Sequence, residues 1–136
     1  MKEIETLIPH RHPFLYVDKI ISLSREEIIG TRIFSDTDNF LTGSFPEFNY
    51  VPGVILIEAM AQCGGAGIKK LNLANGLFGF ANIETANFYK GVAYGQVFKM
   101  VITNIKIADK YIKQSGTGYV DEVACMTLVW TCVKFQ

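Results

Sequence analysis

The residue whose type and position best suit chemistry is Glu58, a single carboxylate within an apolar run from 54 to 61. The run predicts a helix with apolar side chains on every face, which is typical of a helix inside a protein. Taking a charged carboxylate out of water without a partner destabilises a fold by several kcal/mol. We therefore expect Glu58 either to have a partner or to take part in a reaction.

The three cysteines are the other reactive side chains, and their number and spacing favour free thiols. They lack the spacing of a metal site, and Cys125 and Cys132 are 132 − 125 = 7 positions apart. Residues an odd number apart on one strand lie on opposite faces, so we expect no disulfide between them. Cys63 is expected to pack in the core. This pattern predicts a reducing, cytoplasmic environment.

Composition predicts one globular domain, 1–136, with a hydrophobic fraction of 49%. Thirteen basic and thirteen acidic residues cancel, so neither nucleic acid nor a membrane is expected as a partner. No apolar run is long enough to span a bilayer, and the N-terminus lacks the apolar centre of a signal peptide. The glycine-rich run at 64–67 lacks the GxGxxG spacing of a phosphate loop. No cofactor or metal is expected.

Local patterns predict one long helix and several strands. The helix should begin near Pro52 and run to about Leu71, with Lys69 and Lys70 in its last turn complementing the helix dipole. The polar loop before it, from 35 to 50, is long enough to suggest a functional role. Apolar alternation and turn signals predict the remaining elements, which are a helical turn at 2–7 and strands at 14–23, 27–34, 77–85, 97–108, 111–120 and 123–135.

The last predicted strand carries apolar side chains on both faces, such as Val129 on one and Trp130 on the other. A strand buried on both faces needs cover on both sides. Because one long helix covers only one face, we expect a second subunit to cover the other. These features predict an α+β fold in which an antiparallel sheet of five or six strands curls around one long central helix.

Four motifs, in order along the chain, resemble the hot-dog-fold (3R)-3-hydroxyacyl-[acyl-carrier-protein] dehydratases. They are IPHRHPFLYVD at 8–18, GSFP at 43–46, PGVILIEAMAQ at 52–62 and FANIETANF at 80–88. The resemblance implies a hot-dog fold and a double hot-dog dimer, in which two sheets join into one. The dimer would be a homodimer or a heterodimer with another hot-dog subunit, within a higher oligomer or alone. An acyl-carrier-protein or acyl-CoA thioester is the implied substrate.

The resemblance also implies a set of site residues. In the family a histidine and a helix carboxylate, each from a different chain, exchange the protons, and a backbone N–H at the helix start holds the thioester carbonyl. Glu58 matches the carboxylate and Gly53 matches the helix start. The histidine position falls on Ser44, at 58 − 44 = 14 residues before Glu58. Phe45 and Tyr50 would line the acyl-binding site or pack within the loop.

The serine at position 44 is the main departure from the family pattern. A serine hydroxyl does not exchange protons near neutral pH as an imidazole does, and loss of such a group lowers a rate by about 10²–10⁴-fold. Ser44 is expected to be a turn residue rather than a nucleophile. His10 and His12 are the two imidazoles of the chain. A structural role is favoured for His10, and replacement of the missing base by either histidine is the less favoured alternative.

These residues support three hypotheses for function. The leading one is a dehydratase-like subunit of fatty-acid or related acyl or polyene biosynthesis, which completes its site with a histidine-bearing hot-dog partner. The second is an acyl thioesterase in which Glu58 acts on water. The third is a non-catalytic subunit that binds an acyl group or serves as a scaffold.

Overall fold

A computed structural model of the protein describes residues 2–38, 41, 43–44 and 47–136. These residues form two helices and six strands. The elements, in chain order, are α1 (Lys2–Leu7), β1 (Lys19–Leu23), β2 (Glu27–Ile33), α2 (Gly53–Lys70), β3 (Phe78–Phe88), β4 (Val97–Ile107), β5 (Tyr111–Val120) and β6 (Val123–Lys134). The predicted helices and strands are therefore all present, with differences at their ends.

The six strands form one antiparallel sheet in the order β1-β2-β4-β5-β6-β3. β1 and β2 form an antiparallel hairpin, and β5 has the predicted bounds. β3 continues past the predicted end at Thr85 to Phe88, because Phe88 still pairs with Met126 of β6. Within the described residues, β3 has a strand neighbour along one side only.

The segment before β1 is tied to the long helix rather than to the sheet, so the prediction of a strand from residue 14 is wrong at its start. Tyr16 N donates to Gln62 Oε1 at 2.8 Å, and Gln62 Nε2 donates to the Phe14 carbonyl at 3.1 Å. These hydrogen bonds satisfy backbone groups that a strand would pair with its neighbour. The regular strand therefore begins only at Lys19.

Helix α2 begins at Gly53 and ends at Lys70, close to the predicted bounds. The chain leaves the helix through Asn72, which has a φ of 57°, and Leu73 N donates back to the Ile68 carbonyl at 3.1 Å. A left-handed residue with such a hydrogen bond is a common way to end a helix. Neither of the helices formed by the described residues is long and apolar enough to cross a membrane.

One face of α2 packs tightly on the sheet. Met60 and Cys63 on this face are fully buried. The helix approaches β2 closely because glycines lie at the contact points. A Cβ atom added at Gly67 would lie 2.5 Å from Ile28 Cδ1, and one added at Gly30 would lie 2.5 Å from Cys63 Sγ.

The opposite face of α2 and the outer face of β6 are more open. Val54 is 71% exposed, so the expectation that the helix is buried all round is wrong for this chain. Trp130 of β6 is fully buried, whereas Val123 and Val133 are 48% and 39% exposed. The chain therefore covers one face of this strand and leaves part of the other open.

Candidate active site

The carboxylate of Glu58 lies on the open face of α2, where its position is fixed by Gln62 one turn later. Gln62 Nε2 donates to Glu58 Oε2 at 3.0 Å. The same amide also bonds the backbone of Phe14 and Tyr16, and Gln62 is 2% exposed. Because its three hydrogen bonds use both ends of the amide, Gln62 has one orientation. No described residue donates to the other carboxylate oxygen, Oε1 of Glu58.

The imidazole of His10 is the second titratable group at this place. His10 Nε2 lies 3.6 Å from Glu58 Oε2, and the two side chains are 31% and 21% exposed. The His10 ring stacks on Phe14, with ring centroids 6.2 Å apart. Its other nitrogen, Nδ1, is buried and has no hydrogen-bond partner among the described residues. The sequence favoured a structural role for His10 and gave no indication of its contact with Glu58.

A cavity of about 220 Å³ extends from these two side chains along α2. This volume corresponds to roughly seven water molecules. Six residues of one helix face line it, and at 1.5 Å per residue the distance from Glu58 to Lys69 is about 16 Å. The remaining walls are mostly apolar. They come from the segment before β1, from the sheet and from the chain next to its strands, and they include Ile8, Phe78, Phe80, Ile112 and Phe135.

The helix start lies in a separate concavity. Gly53 and Leu56 line it together with Phe88, the last residue of β3, and Tyr89, which follows it. A Cβ atom at Gly53 would lie 3.0 Å from the Phe88 ring, so a glycine allows this ring to approach the helix start closely. Within one chain the structure therefore does not bring Gly53 and Glu58 into one cavity.

Of the three remaining predicted site residues, two lie away from the Glu58 cavity and one lies outside the described residues. Ser44 is partly exposed, its backbone N–H donates to the Leu41 carbonyl at 3.2 Å, and it does not line the cavity. Tyr50 is 53% exposed, bridges to Ala93 and has its ring beside Gly91. Phe45 lies outside the described residues. The roles predicted for these residues stay predictions.

The cavity also contains a thiol, Cys132, whose environment opposes ionisation. Burial, followed by the negative charge of Glu58, raises the pKa of Cys132 to about 11. Burial alone raises the pKa of Cys63 to about 12. Reaction as a nucleophile requires the thiolate, so neither residue is suited to covalent catalysis at neutral pH. All three cysteines are free, as predicted from their spacing.

Two further residues belong to this site: the sequence analysis missed Gln62, and it considered His10 only as the less favoured replacement for the missing base. Gln62 could have been found, because residues four apart on a helix are neighbours and Gln62 follows Glu58 by four. His10 could not be placed, because 58 − 10 = 48 residues separate it from Glu58 and the contact depends on an irregular segment. The structure thus brings together Glu58, Gln62 and His10 at one end of an apolar cavity.

Comparison with known proteins gives the family. The chain matches the FabA-like domain over residues 8–128. It is 33% identical to the 3-hydroxyacyl-[acyl-carrier-protein] dehydratase FabZ of Exiguobacterium sibiricum over 137 positions, which cover 98% of each chain. It is 36% identical to FabZ of Solibacter usitatus over 125 positions, covering 90% of this chain and 77% of that protein.

Among solved structures, the dehydratase heterocomplex ApeI:P from Xenorhabdus doucetiae contains a chain of the same fold. Its TM-score is 0.81 at 18% identity, with 98% of this chain and 91% of that chain covered. The present chain therefore belongs to the FabA-like domain family and is a FabZ-like, dehydratase-like member with a hot-dog fold. The resemblance predicted from the four motifs is confirmed, as is the curled antiparallel sheet with one long helix.

Proposed function

We propose that this chain is a dehydratase subunit that removes water from 3-hydroxyacyl thioesters carried by acyl carrier protein or coenzyme A. The observation that carries the proposal is the Glu58 carboxylate, held by Gln62 at the end of an apolar cavity. A positioned carboxylate suits proton transfer, and apolar walls suit an acyl chain. The names of the FabZ relatives support the same reaction. The pathway would be fatty-acid synthesis or related acyl or polyene synthesis.

The elimination requires three groups on the protein. A base takes the proton from C2, an acid gives a proton to the hydroxyl leaving C3, and a donor holds the thioester oxygen as negative charge develops there. Glu58 is suited to either proton transfer. The N–H of Gly53, at the positive end of α2, is suited to the third task. Since the two lie in different concavities of one chain, one complete site would use groups from two chains.

The exposed edge of β3 supports a dimer that would supply the second chain. β3 has eleven residues, and its side chains Phe80, Ile83 and Phe88 are 40%, 43% and 48% exposed. Long unpaired edges are normally covered, because they otherwise pair with other chains. Pairing of β3 with the same strand of a second hot-dog subunit would join two sheets. Because Phe80 also lines the Glu58 cavity, that cavity would lie beside the new interface.

Ser44 leaves this site in need of an imidazole. In the paired version of the proposal, a histidine-bearing hot-dog partner places its histidine opposite Glu58. A dehydratase heterocomplex, ApeI:P, occurs on this fold and supports such pairing. In a homodimer or a higher homo-oligomer, the imidazole has to come from this chain itself.

The test compares elimination of water from 3-hydroxyacyl thioesters by the chain alone, by the chain with a histidine-bearing hot-dog subunit, and by Ser44→His. Formation of the 2-enoyl thioester is the readout. We expect Ser44→His to raise the rate of the chain alone, because it restores the family's proton-transfer group. Robust activity of the unmodified chain alone would overturn the paired version. Absence of enoyl product in all three cases would overturn the dehydratase proposal itself.

A thioesterase is the second candidate, favoured by Oε1 of Glu58, to which no described residue donates. Such a carboxylate oxygen can activate water for attack on the thioester. Release of free thiol by the wild type, abolished in Glu58→Gln, would support hydrolysis. Absence of thiol release with substrates of every acyl chain length would rule hydrolysis out.

Tight acyl-thioester binding with neither reaction would instead identify a non-catalytic binding or scaffold subunit. That reading fails if Glu58→Gln changes a reaction rate and leaves binding unchanged.

A further inference from the structure

We infer that His10 is the second acid–base group of the Glu58 site, supplied by the same protomer and replacing the imidazole that Ser44 does not provide. The inference rests on the proposed dehydratase function. It differs from the paired version in the source of the imidazole. No other subunit type is then required for proton transfer.

The distance between the two groups suits a shared substrate oxygen. His10 Nε2 and Glu58 Oε2 are 3.6 Å apart, longer than a good direct hydrogen bond. An oxygen atom can lie about 2.8 Å from both of them at once, since this separation is less than twice that hydrogen-bond length. Both side chains line the cavity and are partly exposed, so a substrate hydroxyl in the cavity can reach them.

The position of the imidazole is set by the same residues that fix the carboxylate. Gln62 bonds Glu58 and also the carbonyl of Phe14, and the Phe14 ring stacks on His10. The two proton-transfer groups are therefore linked through one glutamine and one aromatic ring. Because Nδ1 of His10 is buried, Nε2 is the nitrogen through which the ring would exchange protons with the cavity.

The pair can carry out both proton transfers of the elimination. One member accepts the proton from C2 while the other donates a proton to the hydroxyl on C3. The C3–O bond breaks, water leaves, and the electrons of the C2–H bond form the C2=C3 double bond. The released water can lie within hydrogen-bond reach of both groups, and through it the proton gained by the first member returns to the second, which restores the starting state.

His12 provides a matched control within the same segment. It is exposed and does not line the cavity, whereas His10 does. His10→Gln keeps a hydrogen-bond donor near the position of Nε2 but removes proton exchange. His12→Gln makes the same chemical change two positions away.

The experiment uses the purified full chain without any other subunit and 3-hydroxydecanoyl-N-acetylcysteamine as the probe. We expect enoyl product from the wild type and a fall in kcat of about 10²–10⁴-fold in His10→Gln. KM should change little, because the acyl cavity is retained. His12→Gln should match the wild type. Added imidazole should restore part of kcat to His10→Ala, which a purely structural role of His10 would not allow.

Two outcomes would overturn the inference while leaving the proposed dehydratase function intact. One is a His10→Gln enzyme with a kcat within about threefold of the wild type, against the expected acid–base loss. The other is a chain that is inactive alone and becomes active only with a histidine-bearing subunit. If neither the chain alone nor the chain with a histidine-bearing subunit forms enoyl product, the proposed dehydratase function itself is wrong.

A second measurement on the unaltered protein avoids dependence on the folding of the variants. Diethyl pyrocarbonate modifies accessible imidazoles, and mass spectrometry distinguishes His10 from His12. Loss of activity should follow modification of His10 and be slowed by a 3-hydroxyacyl amide bound in the cavity. Full activity after complete modification of His10 would contradict the inference.

Discussion

The two long faces of helix α2 differ in what they tolerate and in what they can do. The face turned to the sheet is closed, with Met60 and Cys63 fully buried and Gly67 against Ile28. The other face lines a cavity and carries a carboxylate beside an imidazole. Both faces come from the same eighteen residues, Gly53–Lys70. Substitutions on the first face should therefore alter stability, and those on the second should alter chemistry.

The largest expected effect is the loss of activity in Glu58→Gln. This change keeps the size of the side chain and removes proton transfer, so the turnover rate should fall by about 10²–10⁴-fold. The unfolding midpoint should stay close to that of the wild type, because the side chain is partly exposed. Glu26→Gln, at an exposed turn position, is the control and should retain activity. Equal activity of the two variants would show that Glu58 takes no part in the reaction.

Replacing Gln62 by leucine should affect both stability and rate, since this residue bonds the backbone of Phe14 and Tyr16 as well as the Glu58 carboxylate. The change leaves the buried N–H of Tyr16 without its acceptor and should lower the free energy of unfolding by about 1–3 kcal/mol. It also frees the Glu58 carboxylate, which should lower kcat. Within the described residues, Gln96→Leu removes one side-chain hydrogen bond, which Ala93 N donates, and should have the smaller effect on stability. Urea unfolding and enoyl formation would measure the two effects.

Replacing two glycines of α2 by alanine, one on each face, tests the packing of the two faces separately. At Gly67 the new Cβ would lie 2.5 Å from Ile28, and overpacking should lower the free energy of unfolding by about 1–3 kcal/mol. At Gly65 the nearest atom to the new Cβ is Ile8 Cγ2 at 3.9 Å, so there is room. Gly65→Ala should stabilise the helix by up to about 1 kcal/mol. Similar destabilisation by both changes would show that the cavity face is as closed as the sheet face.

The smallest expected effect concerns the thiol in the cavity. The pKa of Cys132 is raised from 9.0 to about 11, so its thiolate fraction at pH 8 is about 100-fold below that of an ordinary cysteine. Its alkylation by iodoacetamide should be correspondingly slow and should accelerate as the pH rises toward 11. Glu58→Gln should speed alkylation of Cys132 modestly, because the carboxylate is the second cause of the raised pKa. Cys63 should not respond, since burial alone raises its pKa.

The sequence predicted the closed face better than the open one. Apolar spacing and turn signals are local, and they predicted α2 and the bounds of β5 correctly. They failed at Phe14, because the backbone there is bonded by a side chain 62 − 14 = 48 residues away. The contact of His10 with Glu58 could not be predicted for the same reason. Contacts made by an irregular segment with a distant helix leave no periodic pattern in the sequence.

The site residues taken from the family pattern had a different outcome. Glu58 lies in a cavity, as a reacting group should, but Gly53 lies in a separate concavity and Ser44 in neither. The family pattern describes a site between two chains. Its residues therefore need not lie together within a single chain. The dimer through β3 stays a prediction, and it is the assembly in which Gly53 and Glu58 would serve one substrate.

The most direct test of the central claim is a crystal structure of the chain with an uncleavable 3-hydroxyacyl amide. We expect the 3-hydroxyl oxygen within about 3.2 Å of both His10 Nε2 and the Glu58 carboxylate. The acyl chain should extend along α2 toward Ile68. An acyl chain bound elsewhere, with the cavity empty and both side chains free of contact with the ligand, would contradict the account.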